Sequence, residues 1–160
     1  MKYLKRISLI VCLVMFAVLL TGCGTKNVEG SLEEIMEKVY ANVNDDEKPM
    51  GLTNIKITDE NIEQYLGKAN IEYDEALASE SMVGSIAHSV VLVRAKKGAN
   101  IEAIENEIEK NADPRKWVCV GVEEDDVIVE SEGDLVILIM VEDEKTREKL
   151  DEAFDNLLRD

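Results

Sequence analysis

The sequence predicts an α+β domain: a four-stranded antiparallel sheet built from two ββα units, with helices packed mainly on one face and two further N-terminal helices. Three observations predict this class. Apolar runs of strand length occur in pairs separated by turn residues. A segment with apolar residues at helical spacing follows each pair, and two shorter helical patterns precede the first pair. Strands that neighbour each other in sequence, interleaved with helices in this order, favour an antiparallel sheet.

The two N-terminal helices have recognisable start signals. Ser31 and Glu34 form the Ser-x-x-Glu pattern of a capping box, and apolar residues follow at helical spacing to residue 43. The stretch TDENIEQYLG predicts a second, short helix with Thr58 as its N-cap and Gly67 at its end.

The first ββα unit begins with the segments EALASESMV and AHSVVLVRAK, two predicted strands joined through Gly84-Ser85. The consecutive apolar residues from Val90 to Val93 predict that the second strand is buried on both faces. The segment GANIEAIENEIEKNADP then predicts a helix that Asn100 caps and that ends before Pro114.

The second ββα unit has its strands at Val127–Ser131 and Leu135–Val141, and the residues between them predict a hairpin. The segment EDEKTREKLDEAFDNLL predicts the closing amphipathic helix. Between the units, RKWVCVGVEEDD fits either a strand or a packed irregular connection. The two units resemble each other loosely, so an internal duplication stays open.

Residues 1–22 have the layout of a secretory signal: three basic residues, a short apolar run and small residues at the end. An uncleaved membrane anchor is the alternative. The signal ends in Leu20-Thr21-Gly22-Cys23, which resembles the bacterial lipobox. That resemblance implies that the Cys23 thiol takes a diacylglyceryl group and that cleavage makes Cys23 the first mature residue. We therefore expect a lipidated cysteine and flexible tether at 23–30, and a single domain at 31–160.

The charge of the chain limits its partners. The formal net charge is −16, and loss of the three basic residues in 1–22 would take it to −19. Because such an acidic domain repels phosphates, we expect no nucleic-acid partner. With Cys12 removed and Cys23 lipidated, Cys119 would be the remaining thiol, so no internal disulfide is expected.

The chain resembles a family of small lipoproteins of low-GC Gram-positive bacteria, catalogued as domain of unknown function four-three-five-eight. The features that carry the resemblance are an apolar strand of the SVVLVRAKKG type, the strand start Gly133-Asp134-Leu135-Val136 and a closing helix with Ala153-Phe154, all after a lipobox. The resemblance covers Glu72 to Phe154. It implies an exported, lipid-anchored domain and supplies no catalytic residues.

The residues that could carry chemistry form no known motif. His88 lies in a predicted strand, where a plain buried histidine is expected, and Ser89 would point to the opposite face. Ser85 is also near His88 in sequence. Cys119 is expected to be a small buried hydrophobe. The acidic runs at 44–47 and 123–126 are expected to be solvated loops rather than calcium sites.

These observations favour a non-catalytic binding or interaction module, held on the extracytoplasmic face of the cell membrane by a lipid on Cys23. Its partner would be a ligand or another envelope protein, and no cofactor or metal is expected. One alternative is a cell-envelope hydrolase or other enzyme, and the second is a weak calcium binder. Convergence of Cys119, His88 and the acidic runs would favour an enzyme, whereas their dispersal would favour the module.

Overall fold

The computed structural model describes residues 27–159, which form one antiparallel sheet and four α-helices, so the α+β class is confirmed. The predicted signal peptide and Cys23 lie outside the described residues. The strands are β1 (Leu52–Ile57), β2 (Tyr73–Ser81), β3 (His88–Ala95), β4 (Ile128–Glu132) and β5 (Leu135–Val141). The helices are α1 (Leu32–Val39), α2 (Ile62–Leu66), α3 (Ile101–Asn111) and α4 (Glu144–Asp155).

The sheet has five strands in the order β1-β2-β3-β5-β4, and every neighbouring pair is antiparallel. The prediction of four strands is therefore wrong, because β1 forms an additional edge strand beside β2. Its sequence, LTNIKI, is half polar, and Thr53, Asn54 and Lys56 are exposed. An edge strand with one partner needs less apolar sequence than a central strand, so β1 gives a weak signal.

Helices cover both faces of the sheet, so the prediction that they pack mainly on one face is also wrong. We call the two sides the α1/α4 face and the α2/α3 face, after the helices that cover them. The α1/α4 face contributes these strand residues to its core: Leu77, Val90, Leu92, Leu135, Ile137, Ile139 and Val141. The α2/α3 face contributes Ile57, Ala76, Ala78, Val91, Val93, Val136, Leu138 and Met140. Because β3 and β5 are apolar at consecutive positions, both faces must be covered.

The two ββα units place their helices on opposite faces. Their inner strands, β3 and β5, are antiparallel neighbours, whereas α3 packs on one side of the sheet and α4 on the other. A two-fold rotation that exchanges antiparallel neighbours would leave both helices on one face. The two units are therefore not related by that simple symmetry.

Two predicted helix starts are confirmed by their hydrogen bonds. At α1, the Glu34 N–H donates to the Ser31 hydroxyl at 3.2 Å, and the Ser31 N–H donates to the Glu34 carboxylate at 2.9 Å. At α3, the Asn100 side chain accepts from the Ala103 N–H at 3.2 Å. These bonds satisfy backbone donors that have no partner within the helix.

Two other predicted boundaries are wrong. Helix α1 ends at Val39 rather than at residue 43, and the chain continues in turns. The N-cap position of α2 is held by Asn61 rather than Thr58. The Asn61 side chain accepts from the Thr58 N–H at 2.7 Å, so the two residues close a turn before the helix begins. Gly67 ends α2 with a φ of 63°, as predicted.

The start of the described chain is fixed to one end of the sheet. The Val28 N–H donates to Asp134 at 2.9 Å, and Arg94 donates to the carbonyl oxygens of Val28 and Gly30, both at 2.9 Å. Arg94 also pairs with Asp134 at 2.8 Å and with Glu75 at 2.9 Å. The chain is thus held where β3 ends and the β4–β5 hairpin turns. Within residues 27–159, no helix has the length and apolarity needed to cross a membrane.

Candidate functional site

An open cleft of about 770 Å³ lies between β1 and the C-terminal end of α1 with the loop after it. Its lining combines apolar side chains with amides, hydroxyls and charged groups. The lining residues are Met36, Glu37, Tyr40, Ala41, Val43, Asn44, Asp45, Lys48, Leu52, Thr53, Asn54 and Ser79. A cavity of this size with an apolar part and several hydrogen-bonding groups suits a small ligand or a peptide segment.

A buried tyrosine–histidine pair lies beside this cleft. The Tyr40 hydroxyl and His88 Nε2 are 2.7 Å apart, and the two side chains come from the end of α1 and the start of β3. Burial raises the pKa of Tyr40, which a hydrogen bond with Ser79 only partly offsets. Burial lowers the pKa of His88 to about 4, so the imidazole is neutral at pH 7 and its Nε2 can accept from the hydroxyl. The prediction of a buried strand histidine is confirmed, but sequence reasoning did not find Tyr40.

His88 also lines a second, smaller cleft of about 490 Å³. Glu47, from the acidic run at 44–47, lies at this cleft and pairs with Lys145 at 2.8 Å and Lys149 at 2.5 Å. Hydrogen bonds from these two lysines lower the pKa of Glu47 to about 2. The Glu47 carboxylate therefore ties the α1–β1 loop to α4 and is not free to take a substrate proton.

Other carboxylates of the acidic runs also have basic partners. Asp45 pairs with Lys48 at 2.9 Å, and Asp126 pairs with Arg147 at 2.7 Å. Across residues 27–159, no three His, Cys, Asp or Glu side chains come together in a way that could hold a metal ion.

A second buried polar cluster lies on the α2/α3 face, away from the cleft. Lys116 Nζ is 2.9 Å from the Glu80 carboxylate and 3.2 Å from the Ser89 hydroxyl, and it lies over the rings of Tyr65 and Trp117. Burial lowers the pKa of Lys116, although the Glu80 charge opposes this effect. Ser89 has 0% exposure, and it faces away from His88 as predicted. Sequence reasoning missed this cluster, since Glu80 and Lys116 are 36 residues apart.

Cys119 is exposed, so the prediction that it packs as a buried hydrophobe is wrong. It lies in an irregular segment between α3 and β4, with a φ of 64°. In this segment Trp117 and Val122 pack against the α2/α3 core, whereas Val118 is 70% exposed. The segment is thus the packed irregular connection that the sequence left as one of two interpretations.

Three carboxylates lie close together near β4, the edge strand opposite β1, and the pKa values of two of them are raised. Burial, then the charges of Asp151 and Asp155, raise the pKa of Glu130 to about 7. Burial also raises the pKa of Asp151, whose Oδ1 atom is buried without a hydrogen-bond partner among the described residues. Glu130 lies on β4 and the two aspartates on α4, so their approach depends on the packing of that helix on the sheet.

The residues singled out from the sequence do not converge. His88 and Glu47 lie at the clefts of the α1/α4 face, whereas Ser89 is buried on the opposite face and Cys119 is at the surface. The cleft beside β1 is thus built mainly by residues that carry no catalytic motif. Comparisons with models of known families, with curated proteins and with solved structures found no match.

Proposed function

We propose that this protein is a membrane-anchored extracytoplasmic lipoprotein whose domain is a non-catalytic binding module. The observation that carries the binding role is the open cleft of about 770 Å³ between α1 and β1. The proposed anchor rests on the Leu20-Thr21-Gly22-Cys23 pattern after a secretory signal and on the resemblance to the lipoprotein family. A lipid on Cys23 would keep the cleft near the membrane, where its ligand would be encountered.

The geometry supports binding better than hydrolysis. A hydrolase of the nucleophilic type needs an accessible Ser, Thr or Cys in contact with a base. Ser89 contacts Lys116, but it is fully buried. His88 is bonded to Tyr40 rather than to a nucleophile. For calcium, Glu47 and Asp126 already accept from basic side chains, and within residues 27–159 the carboxylates do not gather into a group of three that could hold an ion.

The anchor is tested by metabolic labelling with an alkyne fatty acid followed by mass spectrometry of the membrane fraction. We expect label on the native chain, its loss in Cys23→Ala, and its retention in the matched control Cys119→Ala. Cleavage before Cys23 should remove residues 1–22. Label that persists in Cys23→Ala, or a mature chain that retains the signal peptide, would refute the anchor.

The binding role is tested by a pull-down of the native chain from membranes with two tryptophan variants. Ala41 is exposed and lines the cleft, so Ala41→Trp should obstruct the cleft without disturbing the core. Lys97→Trp places the same side chain on the exposed β3–α3 loop. A partner lost with Ala41→Trp and kept with Lys97→Trp supports the cleft as the binding site. A partner that both variants retain equally contradicts it.

A further inference from the structure

We propose that the ligand of the cleft is an extended, basic peptide segment that adds to the sheet as a further strand along the outer edge of β1. This inference rests on the proposed binding function and names the class of ligand. Strand addition of this kind obtains affinity from main-chain hydrogen bonds and selectivity from pockets for alternate side chains.

The ladder between β1 and β2 shows which backbone groups of β1 face outward. The Met82 N–H donates to the Gly51 carbonyl oxygen at 3.1 Å, one step beyond the Leu52–Ser81 pair. In an antiparallel pair, hydrogen-bonded and non-bonded positions alternate. Gly51 is a bonded position, so the backbone groups of Leu52 and Asn54 point away from β2.

These outward groups are unpaired in the part of the chain that the structure describes. No hydrogen bond from residues 27–159 reaches the backbone N–H or C=O of Leu52 or Asn54. The next outward residue, Lys56, differs because its carbonyl oxygen accepts from the Asn61 side chain at 3.1 Å. The open part of the edge is therefore the half of β1 that borders the cleft, with two donors and two acceptors available to a peptide.

The cleft would receive every second side chain of the added strand. Successive side chains of a strand point to opposite faces, and the cleft lies on the α1/α4 face of β1. Its floor includes Met36 and Val43, which are buried in the core of that face, together with the partly buried Leu52. Apolar side chains at alternate positions of the peptide would contact this floor.

The charge of the cleft favours a basic peptide. Glu37 and Asp45 are exposed at its rim, and Lys48 pairs with Asp45. Among residues 27–159, no basic side chain lies within ion-pair distance of Glu37. The strong negative charge of the whole chain adds to this local excess and would attract a cationic segment.

The test uses the full chain in detergent micelles and a blocked synthetic peptide of alternating lysine and valine. Hydrogen–deuterium exchange with mass spectrometry compares the β1 segment with β4, the opposite edge of the sheet. The peptide should slow exchange at 51–56 and leave 128–132 unchanged. A peptide of alternating glutamate and valine should bind at least about tenfold more weakly, because like charges repel. Equal protection of both edges, or of neither, overturns the proposal.

Two variants separate the backbone of Asn54 from its side chain. Asn54→Pro removes an outward N–H that the β1–β2 ladder does not use, a position where edge strands tolerate proline. It should weaken binding of the lysine–valine peptide about tenfold by fluorescence anisotropy, since one hydrogen bond is lost and its partner is left unpaired. Asn54→Ala keeps the N–H and removes only the side chain from the cleft lining, so it should weaken binding clearly less than Asn54→Pro does. Equal affinities of the two variants would overturn strand addition.

Ala41→Trp supplies an independent variant in case Asn54→Pro does not fold, and it should abolish peptide protection of β1. Concentration-dependent self-association through β1, seen by sedimentation and removed by Asn54→Pro, would identify a second copy as the occupant and overturn the peptide proposal. The peptide measurements do not depend on lipidation, so they can fail while the labelling of Cys23 succeeds, or the reverse.

Discussion

Acidification is expected to destabilise the fold through His88. Its side chain is 3% exposed, and burial lowers its pKa in the folded state from 6.5 to about 4. Between these values the unfolded chain binds a proton that the folded chain excludes, so the free energy of unfolding falls as the pH falls. At about 1.4 kcal/mol per pH unit, the loss attributable to His88 approaches about 3 kcal/mol near pH 4.

The assay is urea unfolding of the full chain in detergent micelles at intervals from pH 7 to pH 4.5. The comparison is His88→Gln, since a glutamine oxygen can accept from the Tyr40 hydroxyl but does not titrate. Whatever its stability at pH 7, the variant should lose less stability than the native chain as the pH falls below 6.5. Parallel profiles for the two proteins from pH 6.5 to pH 4.5 would refute this reasoning.

Three further outcomes are expected. The pKa of Glu130 is raised to about 7 in the folded state, so its contribution to the free energy of unfolding is complete below pH 4.5 and is lost as the pH rises through 7. Between pH 5 and pH 8, Glu130→Gln should therefore lose less stability than the native chain in the same urea assay. Lys116→Met leaves Glu80 buried without its basic partner and should lower the free energy of unfolding by about 3 kcal/mol in urea. The double variant Lys116→Met with Glu80→Leu should restore most of that loss, and equal stabilities of the single and double variants would contradict this expectation. Gly67→Ala, whose Cβ would lie 1.8 Å from a backbone oxygen, should lower the melting temperature clearly more than Gly98→Ala. Gly98 is the matched control because it has a similarly positive φ and no atom within 4 Å of an added Cβ.

Local sequence signals predicted the elements whose neighbours are close in the chain. The run from Val90 to Val93 correctly indicated a strand buried on both faces, and Glu132-Gly133-Asp134 correctly indicated a hairpin, although Glu132 belongs to β4 and the turn itself is Gly133-Asp134. Gly133 has a φ of 63°, which glycine adopts without steric cost at the first turn position. The same apolar runs also contained the signal for helices on both faces, because a strand buried on two sides needs two covering layers.

The candidate site could not be predicted in the same way, because its contacts join distant parts of the chain. Tyr40 and His88 are 48 residues apart, and no local pattern brings them together. The edge strand β1 escaped prediction because Thr53 and Asn54 resemble loop residues. Those polar residues can form a strand because one edge of β1 pairs with β2, whereas its outer edge borders the open cleft and needs no apolar partner.

The point where Arg94 holds Val28 and the cleft beside β1 lie at opposite ends of the sheet, which bears on how a domain tethered through Cys23 would meet a partner. Arg94, the second-to-last residue of β3, holds Val28, whereas Tyr40, beside the cleft, contacts His88, the first residue of β3. Six residue steps along β3 separate these two residues, or about 20 Å. If Cys23 carries the lipid, the five residues to Val28 can span at most about 18 Å. We therefore expect the Arg94 end to face the membrane, so that a lipid-borne quencher would act more strongly on a fluorophore there than on one at the cleft. In that orientation a peptide segment of an envelope protein would reach the edge of β1 without first displacing lipid.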